Sequence, residues 1–348
     1  MAGNWERRWH PLLGQWVLIS ARSASRPWSG AIANAQSERA PEHDPECYLC
    51  PRVTRANGIQ NPDYHGSYAF DNDFPSLSFY APAQPPSEIS SALEQTAPAH
   101  GACRVLCWSE RHDATLASLS VPEMQQAAYL WKHEYETLSA QNDIANVLIF
   151  ENKGVEIGVS NLHPHGQIYA TSFVTDTASR MRDAQAAYAL ENPDKSLMQD
   201  LRTQTHTQQN LIIEAGRHFS VLVPFAARFA YESWIVPHRH VSSLAQMSNA
   251  EIEELASLYQ RQVHRYDLLF HRSAPNITLI YNAPCDSESA DKNKHWCFHL
   301  AFQPPLRDPE KMKYLAGFES GSNNIVNPVQ PELAAKQLRA IDPDRWRT

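Results

Sequence analysis

Two stretches of the chain repeat one pattern, and that repetition is the strongest constraint on its fold. In the first, the apolar strand RVLCWS precedes SVPEM, where Ser120 is an N-cap, Pro122 falls in the first turn and Glu123 closes a capping box. The helix that starts there runs to about residue 140 and leads into the strand NVLIFEN, then into a histidine-bearing segment. In the second, SWIVP reads as a strand, SNAE (Ser248 to Glu251) is again a capping box, and IEELASLYQRQVHRYDLLF is a long helix. The strand NITLIY and the segment HWCFHLAF follow. The two capping serines lie 128 positions apart. Strand, helix, strand, loop and histidine-bearing strand thus recur in one order, which predicts a duplicated α+β unit. Two half-units are expected, residues 1–175 and 176–348, their antiparallel strands meeting in one sheet flanked by helices. Residues 81–101, rich in Pro, Ser and Ala, read as an exposed loop. The polar stretch 174–210 reads as an irregular helix linking the halves.

Composition narrows the partners. With 43% hydrophobic and 20% charged residues over 348 positions, the chain has the make-up of a globular protein. Its apolar runs fall far short of a membrane-spanning helix, and no basic segment followed by an apolar one opens the chain. No membrane partner is expected, and the expected address is cytoplasmic. A net charge of -8 argues against nucleic acid, whose phosphates need a basic face. A single phosphorylated small molecule remains open, since local arginines can serve it.

Six cysteines do not suggest a disulfide framework. Cys103, Cys107, Cys285 and Cys297 lie in or beside apolar strand-like stretches and read as small core residues. Cys47 and Cys50, in CYLC, are a Cys-x-x-Cys in a polar, proline-bearing loop. That spacing lets two thiolates reach one ion, and a metal competes there with a redox role.

The segment SNLHPHGQIYA, residues 160–170, carries the sharpest chemistry. On a strand, His163, His165 and Gln167 would project together, with Pro164 and Gly166 facing away. Two hydrogen-bonded structural imidazoles are the plain alternative. The spacing nevertheless matches the histidine triad pattern with Gln167 in the third place. In triad hydrolases the middle histidine attacks an α-phosphorus and a neighbouring imidazole helps protonate the leaving group. A carboxamide cannot trade protons near neutral pH, but it can donate a hydrogen bond to a phosphoryl oxygen. The nucleotidyl-histidine should then persist until a second phosphate attacks it. That favours a transferase over a hydrolase.

GVSNLHPHGQIYA resembles the active-site signature of the galactose-1-phosphate uridylyltransferase family, a branch of the histidine triad superfamily. The resemblance extends through GQWVLIS, RPWSG, HDPECYLC, NPDYHGSYAFDNDFPSL, FENKG, RYDLLF, NAP, HWCFHLAFQPPL and KYLAGFE, in the family's order. It implies triad-like half-units and exchange of UMP between UDP-glucose and galactose 1-phosphate through a uridylyl-histidine. His165 would be the nucleophile, with Gln167 holding phosphoryl oxygens and Ser160 helping to position the phosphates. The nucleotide site would comprise Arg22, Arg26, Asn72, Asp73, Asn152, Ser160 and Gln167. One structural zinc ion per chain would take Cys47, Cys50, His112 and His163. The family's tail completes a partner subunit's site, so a homodimer is implied, with Lys313, Tyr314, Phe318 and Glu319 touching the sugar phosphate.

Two departures stand out. The family's second metal site maps onto Met181, Tyr281, His299 and Ala301, where only His299 keeps a ligand type, so that site reads as lost. A glutamine that contacts the sugar falls on or near Ile325, with Asn323 or Asn324 as possible replacements, and Phe318 stands where tyrosine is more common. Three classes therefore remain: a uridylyltransferase, or a relative using another sugar 1-phosphate or nucleotide; a nucleotide hydrolase; and a non-catalytic nucleotide- or metal-binding protein.

Overall fold

Both expected capping boxes form: the Ser120 amide donates to Glu123 at 2.7 Å and the Ser248 amide to Glu251 at 2.8 Å. The computed structural model describes residues 5–20, 40–82, 93–159, 161–208 and 210–347. Strands β1 (Trp5–His10) and β2 (Gln15–Ser20) make a hairpin. Next come β3 (Tyr68–Asp71), β4 (Gly101–Cys107), helix α1 (Val121–Ser139), β5 (Asn146–Lys153) and β6 (His165–Thr171). The polar stretch after them holds two regular helices, α2 (Asp176–Glu191) and α3 (Leu197–Gln208), rather than one irregular helix. The second half supplies β7 (Ile212–Ala215), β8 (Phe219–Leu222), β9 (Ser233–Pro237), α4 (Asn249–Phe270), β10 (Asn276–Tyr281), a short α5 (Ala290–Asn293) and β11 (His299–Gln303). The tail adds α6 (Phe318–Ser322), β12 (Val326–Asn327) and α7 (Pro331–Arg339). β12 lies parallel to β2, completing a small three-stranded sheet that the repeat does not predict.

The main sheet has the order β3-β4-β6-β5-β10-β11-β9-β8-β7, with every neighbouring pair antiparallel. Its centre is a mirror of connectivity: β4-β6-β5 meets β10-β11-β9 along the β5–β10 seam. One row of directly opposed residues crosses it: Phe70, Val105, Gln167, Phe150, Leu279, Ala301, Trp234 and Leu222. Directly opposed side chains share a face. Hence Gln167 and Ala301 hold matching places in the two halves, as do Val105 and Trp234, and Phe70 and Leu222. His165 and His299 each stand two residues before their matched pair, at the start of β6 and β11.

The face on the other side of this row is the main core. Leu106, Ile149, Ile168, Ile235, Ile280 and Leu300 point there, beneath α1 and α4. The two helices are tied to each other and to the loop before α1, with Tyr129 donating to Glu253 at 2.9 Å and Gln260 to the Leu119 carbonyl at 2.6 Å. Trp108, Trp131, Tyr259 and Phe302 form a chain of rings with centroids 5.0–5.7 Å apart, crossing from one half to the other. Each such pair contributes about 0.5–1.5 kcal/mol beyond its buried area. That rigid floor leaves the opposite face free to differ between the halves. Over the first half lie the CYLC turn and Tyr64, with Phe70, Val105 and Cys107. Over the second, α2 and α3 press Met181, Leu197 and Met198 against Leu222, Trp234 and Ala301. Cys103, Cys107 and Cys297 are buried as expected, and Cys285 is half-buried.

Candidate active site

Four side chains from three separate segments converge beside β6. Cys47 and Cys50 sit on one turn, closed by the Cys50 amide donating to the Cys47 carbonyl at 3.0 Å. Asn61 fastens that turn, donating to the carbonyls of Tyr48 at 2.9 Å and Cys50 at 3.0 Å. His112 follows β4, His163 precedes β6, and the four ligand atoms all lie within 4.8 Å of one another, buried. His163 is not on the strand as its alternation with His165 suggested. The strand begins at His165, after Pro164, and the His163 ring turns to the cysteines instead. Its Nε2 lies 2.9 Å from the Ser109 carbonyl, which only accepts, so Nε2 carries the proton and Nδ1 presents a lone pair 3.5 Å from Cys50 Sγ. Burial holds the His163 ring neutral, its pKa pushed down to about 4, and pushes the Cys50 thiol up to about 12. Two imidazole lone pairs and two thiols that need a nearby cation to ionise fit a closed, tetrahedral divalent ion.

Beside this cluster opens a cavity of about 260 Å³ lined by His165, Gln167, Asn72, Asp73 and Asn152. His165 and Gln167 share it because they alternate along β6. The His165 Nδ1 lies 2.7 Å from the His163 carbonyl. A carbonyl only accepts, so Nδ1 holds the proton and Nε2 is the unprotonated nitrogen. Burial lowers the His165 pKa, which keeps the ring neutral and nucleophilic.

Gly166 faces the other way, and its size matters. A Cβ there would come within 2.3 Å of the Trp108 ring and 2.8 Å of the Phe150 carbonyl. Trp108 is held in turn by its amide on the Pro164 carbonyl at 3.0 Å and its indole N–H on Glu151 at 3.2 Å. Tyr259, on α4, donates to the same buried carboxylate at 2.5 Å. Burial raises the Glu151 pKa. Sequence reasoning missed Trp108 and Glu151; the signal was the glycine between two site residues, read only as facing away.

Asp73 is similarly supported by a residue no motif pointed to. Arg55 pairs with it at 3.3 Å, both side chains under 10% exposed, and lies over the Phe70 ring at 4.3 Å. Asn72 accepts from the Phe74 amide at 2.9 Å, fixing the turn that carries the pair. Arg22, Arg26 and Ser160 lie outside the described residues.

The tail residues do not line this cavity. Lys313 pairs with Glu319, and Glu319 also accepts from the Val326 amide at 3.0 Å. Tyr314 and Phe318 are 52% and 57% exposed. Ile325 is buried against Val17, Ile19 and Ala226, its carbonyl accepting from the Leu18 amide at 2.9 Å. Asn323, exposed, caps α6 in a left-handed conformation (φ 57°), and Asn324 follows it.

In the second half, no set of metal-ligating side chains surrounds His299 among the described residues. Met181 and Ala301 belong to the apolar cluster, Tyr281 stacks on the His299 ring at 4.8 Å, and Trp234 lies 5.3 Å away. His299 is fully buried, and neither ring nitrogen makes a hydrogen bond of good geometry among the described residues. Burial pushes its pKa down to about 4 against a weaker opposing pull from the Cys297 backbone. One imidazole among apolar groups does not fit the family's second metal.

Comparison with known proteins accords with this geometry. Residues 2–175 match the family described as galactose-1-phosphate uridyl transferase, N-terminal domain, and residues 181–347 match its C-terminal domain. The galactose-1-phosphate uridylyltransferase of Haemophilus influenzae is 36% identical over 342 residues, covering 98% of this chain and 95% of its own. The rat enzyme of the same name is also 36% identical, over 335 residues, 96% of this chain and 87% of its own. An ADP-glucose phosphorylase from Arabidopsis thaliana, solved with bound ADP-glucose, shares the fold at TM-score 0.78 and 22% identity, covering 97% of this chain and 99% of its own. A solved uridylyltransferase does so at TM-score 0.75 and 23% identity, over 96% and 98%. With family descriptions matching nearly its whole length, this chain belongs to the galactose-1-phosphate uridylyltransferase family.

Proposed function

We propose that the chain transfers UMP between UDP-glucose and galactose 1-phosphate by two displacements at His165. The observation that carries this is the tautomer of His165: Nδ1 donates to the His163 carbonyl at 2.7 Å, leaving Nε2 free in the cavity. Nε2 attacks the α-phosphorus of UDP-glucose, a P–N bond forms, and the bond to the β-phosphate oxygen breaks. Glucose 1-phosphate departs with that electron pair. Its second pKa is about 6, so no general acid is needed, consistent with a glutamine in the third triad place. Gln167 donates hydrogen bonds to the phosphoryl oxygens as charge shifts onto them. A phosphate oxygen of galactose 1-phosphate then attacks the same phosphorus, the P–N bond breaks, and UDP-galactose leaves. Asn72, Asp73 and Asn152 are read as the nucleotide's polar partners, with Arg55 holding the Asp73 carboxylate in place.

Zinc is the ion we assign to Cys47, Cys50, His112 and His163. When bound it supplies a structural clamp on the loop that ends in Pro164. His163 contributes twice, through its ring to the cluster and through its carbonyl to His165. The nucleophile and the cluster fall in the half-unit read as residues 1–175, and the tail in 176–348. Exposed Tyr314 and Phe318, away from the chain's own cavity, support a homodimer in which Lys313, Tyr314, Phe318 and Glu319 reach the partner's sugar phosphate. The reading remains one of a cytoplasmic enzyme; no helix among the described residues is long and apolar enough to cross a membrane.

Incubation with UDP-glucose should add one UMP to the protein at His165, seen by mass spectrometry, and release glucose 1-phosphate. Labelling of a His165→Ala variant would refute the assignment. A second acceptor is favoured by one observation: Ile325 is buried in the small-sheet core, so it offers no contact to a sugar hydroxyl. Comparing kcat/KM for galactose 1-phosphate with that for other sugar 1-phosphates decides between them.

A further inference from the structure

The row of paired residues places a second cavity where symmetry expects one. Phe70 and Val105 line the first-half cavity, and their matched residues Leu222 and Trp234 line another, of about 240 Å³. It lies between β1, α3 and the β8–β9 strands. Its chemistry is different. Apolar side chains predominate in its lining, Trp9, Trp234, Leu201 and Met198 among them. Arg202 is the one charged residue among the described lining residues, and no carboxylate is among them. Its Nε donates to Gln199 at 3.2 Å, and its two terminal amino groups make no hydrogen bond among the described residues. His10 adds a donor. Its Nδ1 accepts from the Leu13 amide at 3.3 Å, so in the neutral ring Nε2 carries the hydrogen. Burial, helped by Arg228 and His299, pushes the His10 pKa down to about 3 and keeps that ring neutral.

We infer that this cavity is a second small-molecule site, taking a flat aromatic ring that bears one anionic group. The ring packs against the indoles of Trp9 and Trp234, and the anion meets the guanidinium of Arg202, with His10 a further donor in the lining. The place matched to the His165 nucleophile holds His299, which lies against Tyr281 and Trp234 and does not line this cavity, and Ala301 stands where Gln167 does in the first half. The site binds without turnover. The inference rests on strand register and lining chemistry and stands whether or not the transferase assignment holds.

The probe is 1-naphthalenesulfonate, with 1-naphthol as its neutral counterpart, titrated into the full chain by calorimetry with and without saturating UDP-glucose. One sulfonate should bind per chain, unaffected by UDP-glucose. Arg202→Gln should weaken the sulfonate about tenfold and 1-naphthol less than about twofold, as loss of a charge-assisted contact predicts. Leu201→Trp, which fills the cavity, should weaken both probes at least about tenfold. Should Leu201→Trp fail to fold, as judged by near-UV circular dichroism, the Arg202→Gln result decides. Absence of saturable binding, competition by UDP-glucose, or equal affinities of wild type and Arg202→Gln for the sulfonate would each overturn the inference.

Discussion

In the first half of the sheet, the face opposite α1 and α4 presents Phe70, Val105 and Gln167; in the second half it presents Leu222, Trp234 and Ala301. The strands beneath are matched and the helical floor is shared. What differs is what each face was given to cover. Where a cysteine-bearing loop packs, a metal-ligating set and a cavity with polar side chains form. Where α2 and α3 pack, Met181 joins the apolar cluster and Tyr281 stacks on a histidine whose ring nitrogens make no hydrogen bond of good geometry among the described residues. His165 and His299 make the lesson specific. Both are imidazoles at the start of matched strands, yet His165, half-buried, has a carbonyl fixing its tautomer and an open cavity before it. His299, fully buried, has Tyr281 stacked on its ring and Trp234 tilted against it. Chemistry follows from hydrogen-bond partner and access, not from residue type.

The comparison breaks most readily at the nucleophile. His165→Ala should lower transferase activity by on the order of 10⁴-fold, since losing an attacking group removes the whole covalent route. His299→Phe should leave it within about twofold, because the ring touches no cavity of the first half. A rate for His165→Ala within tenfold of wild type would dissolve the distinction.

Metal content tests the first face next. Cys50→Ser should lose about one equivalent of zinc per chain and lower Tm by at least about 5 °C, because binding and folding are linked there. Elemental analysis and calorimetry read both effects, and a variant retaining full zinc would remove Cys50 from the ligand set. No metal should be found near His299.

Gly166→Ala sharpens the role of the floor. The added methyl meets Trp108, so either that ring or the strand must move, at a cost of about 1–3 kcal/mol. Because His165 and Gln167 flank the glycine, kcat should fall with KM little changed. Unaltered kcat and stability would show that Trp108 gives way freely.

The smallest effects belong to the second face. His299→Phe removes two buried nitrogens that make no hydrogen bond of good geometry among the described residues, and should be neutral or stabilising by up to about 1 kcal/mol at pH 7. Its signature is the pH dependence. With the His299 pKa at about 4 in the folded chain against 6.5 unfolded, the unfolded state takes up the proton first as pH falls. Stability is therefore full above pH 6.5 and declines towards pH 4, by about 1.4 kcal/mol per pH unit for this ring. His10 adds a decline of the same sign. Denaturant titrations of His299→Phe should show a shallower loss over that window; an unchanged slope would place the proton uptake elsewhere.

Several of these features could be read before any coordinates. The two capping boxes located α1 and α4, and the repeat foretold a sheet of two like halves, because caps and apolar periodicity are local and survive in linear form. That Met181 and Ala301 offer no metal ligand was equally plain, and the structure places both in the apolar cluster over the second half. The small sheet was not legible, since β12 is two residues long and gains its partner β2 only through folding. Nor was the true setting of His163, whose alternation with His165 promised one shared face.

By itself the sequence determined which side chains are on offer for the proposed chemistry: the imidazole at 165, the carboxamide at 167 and the paired cysteines. Those are matters of side-chain identity and short spacing, fixed along the chain. Only the tertiary structure decided that the Cys47 turn, His112 and His163 meet, that Arg55 braces Asp73, and that Trp108 requires a glycine at 166. It alone set Trp234 beside an aromatic-walled cavity that mirrors the first. Each of those depends on contacts between segments distant in sequence, whose register is set by burial across the sheet rather than by any local signal.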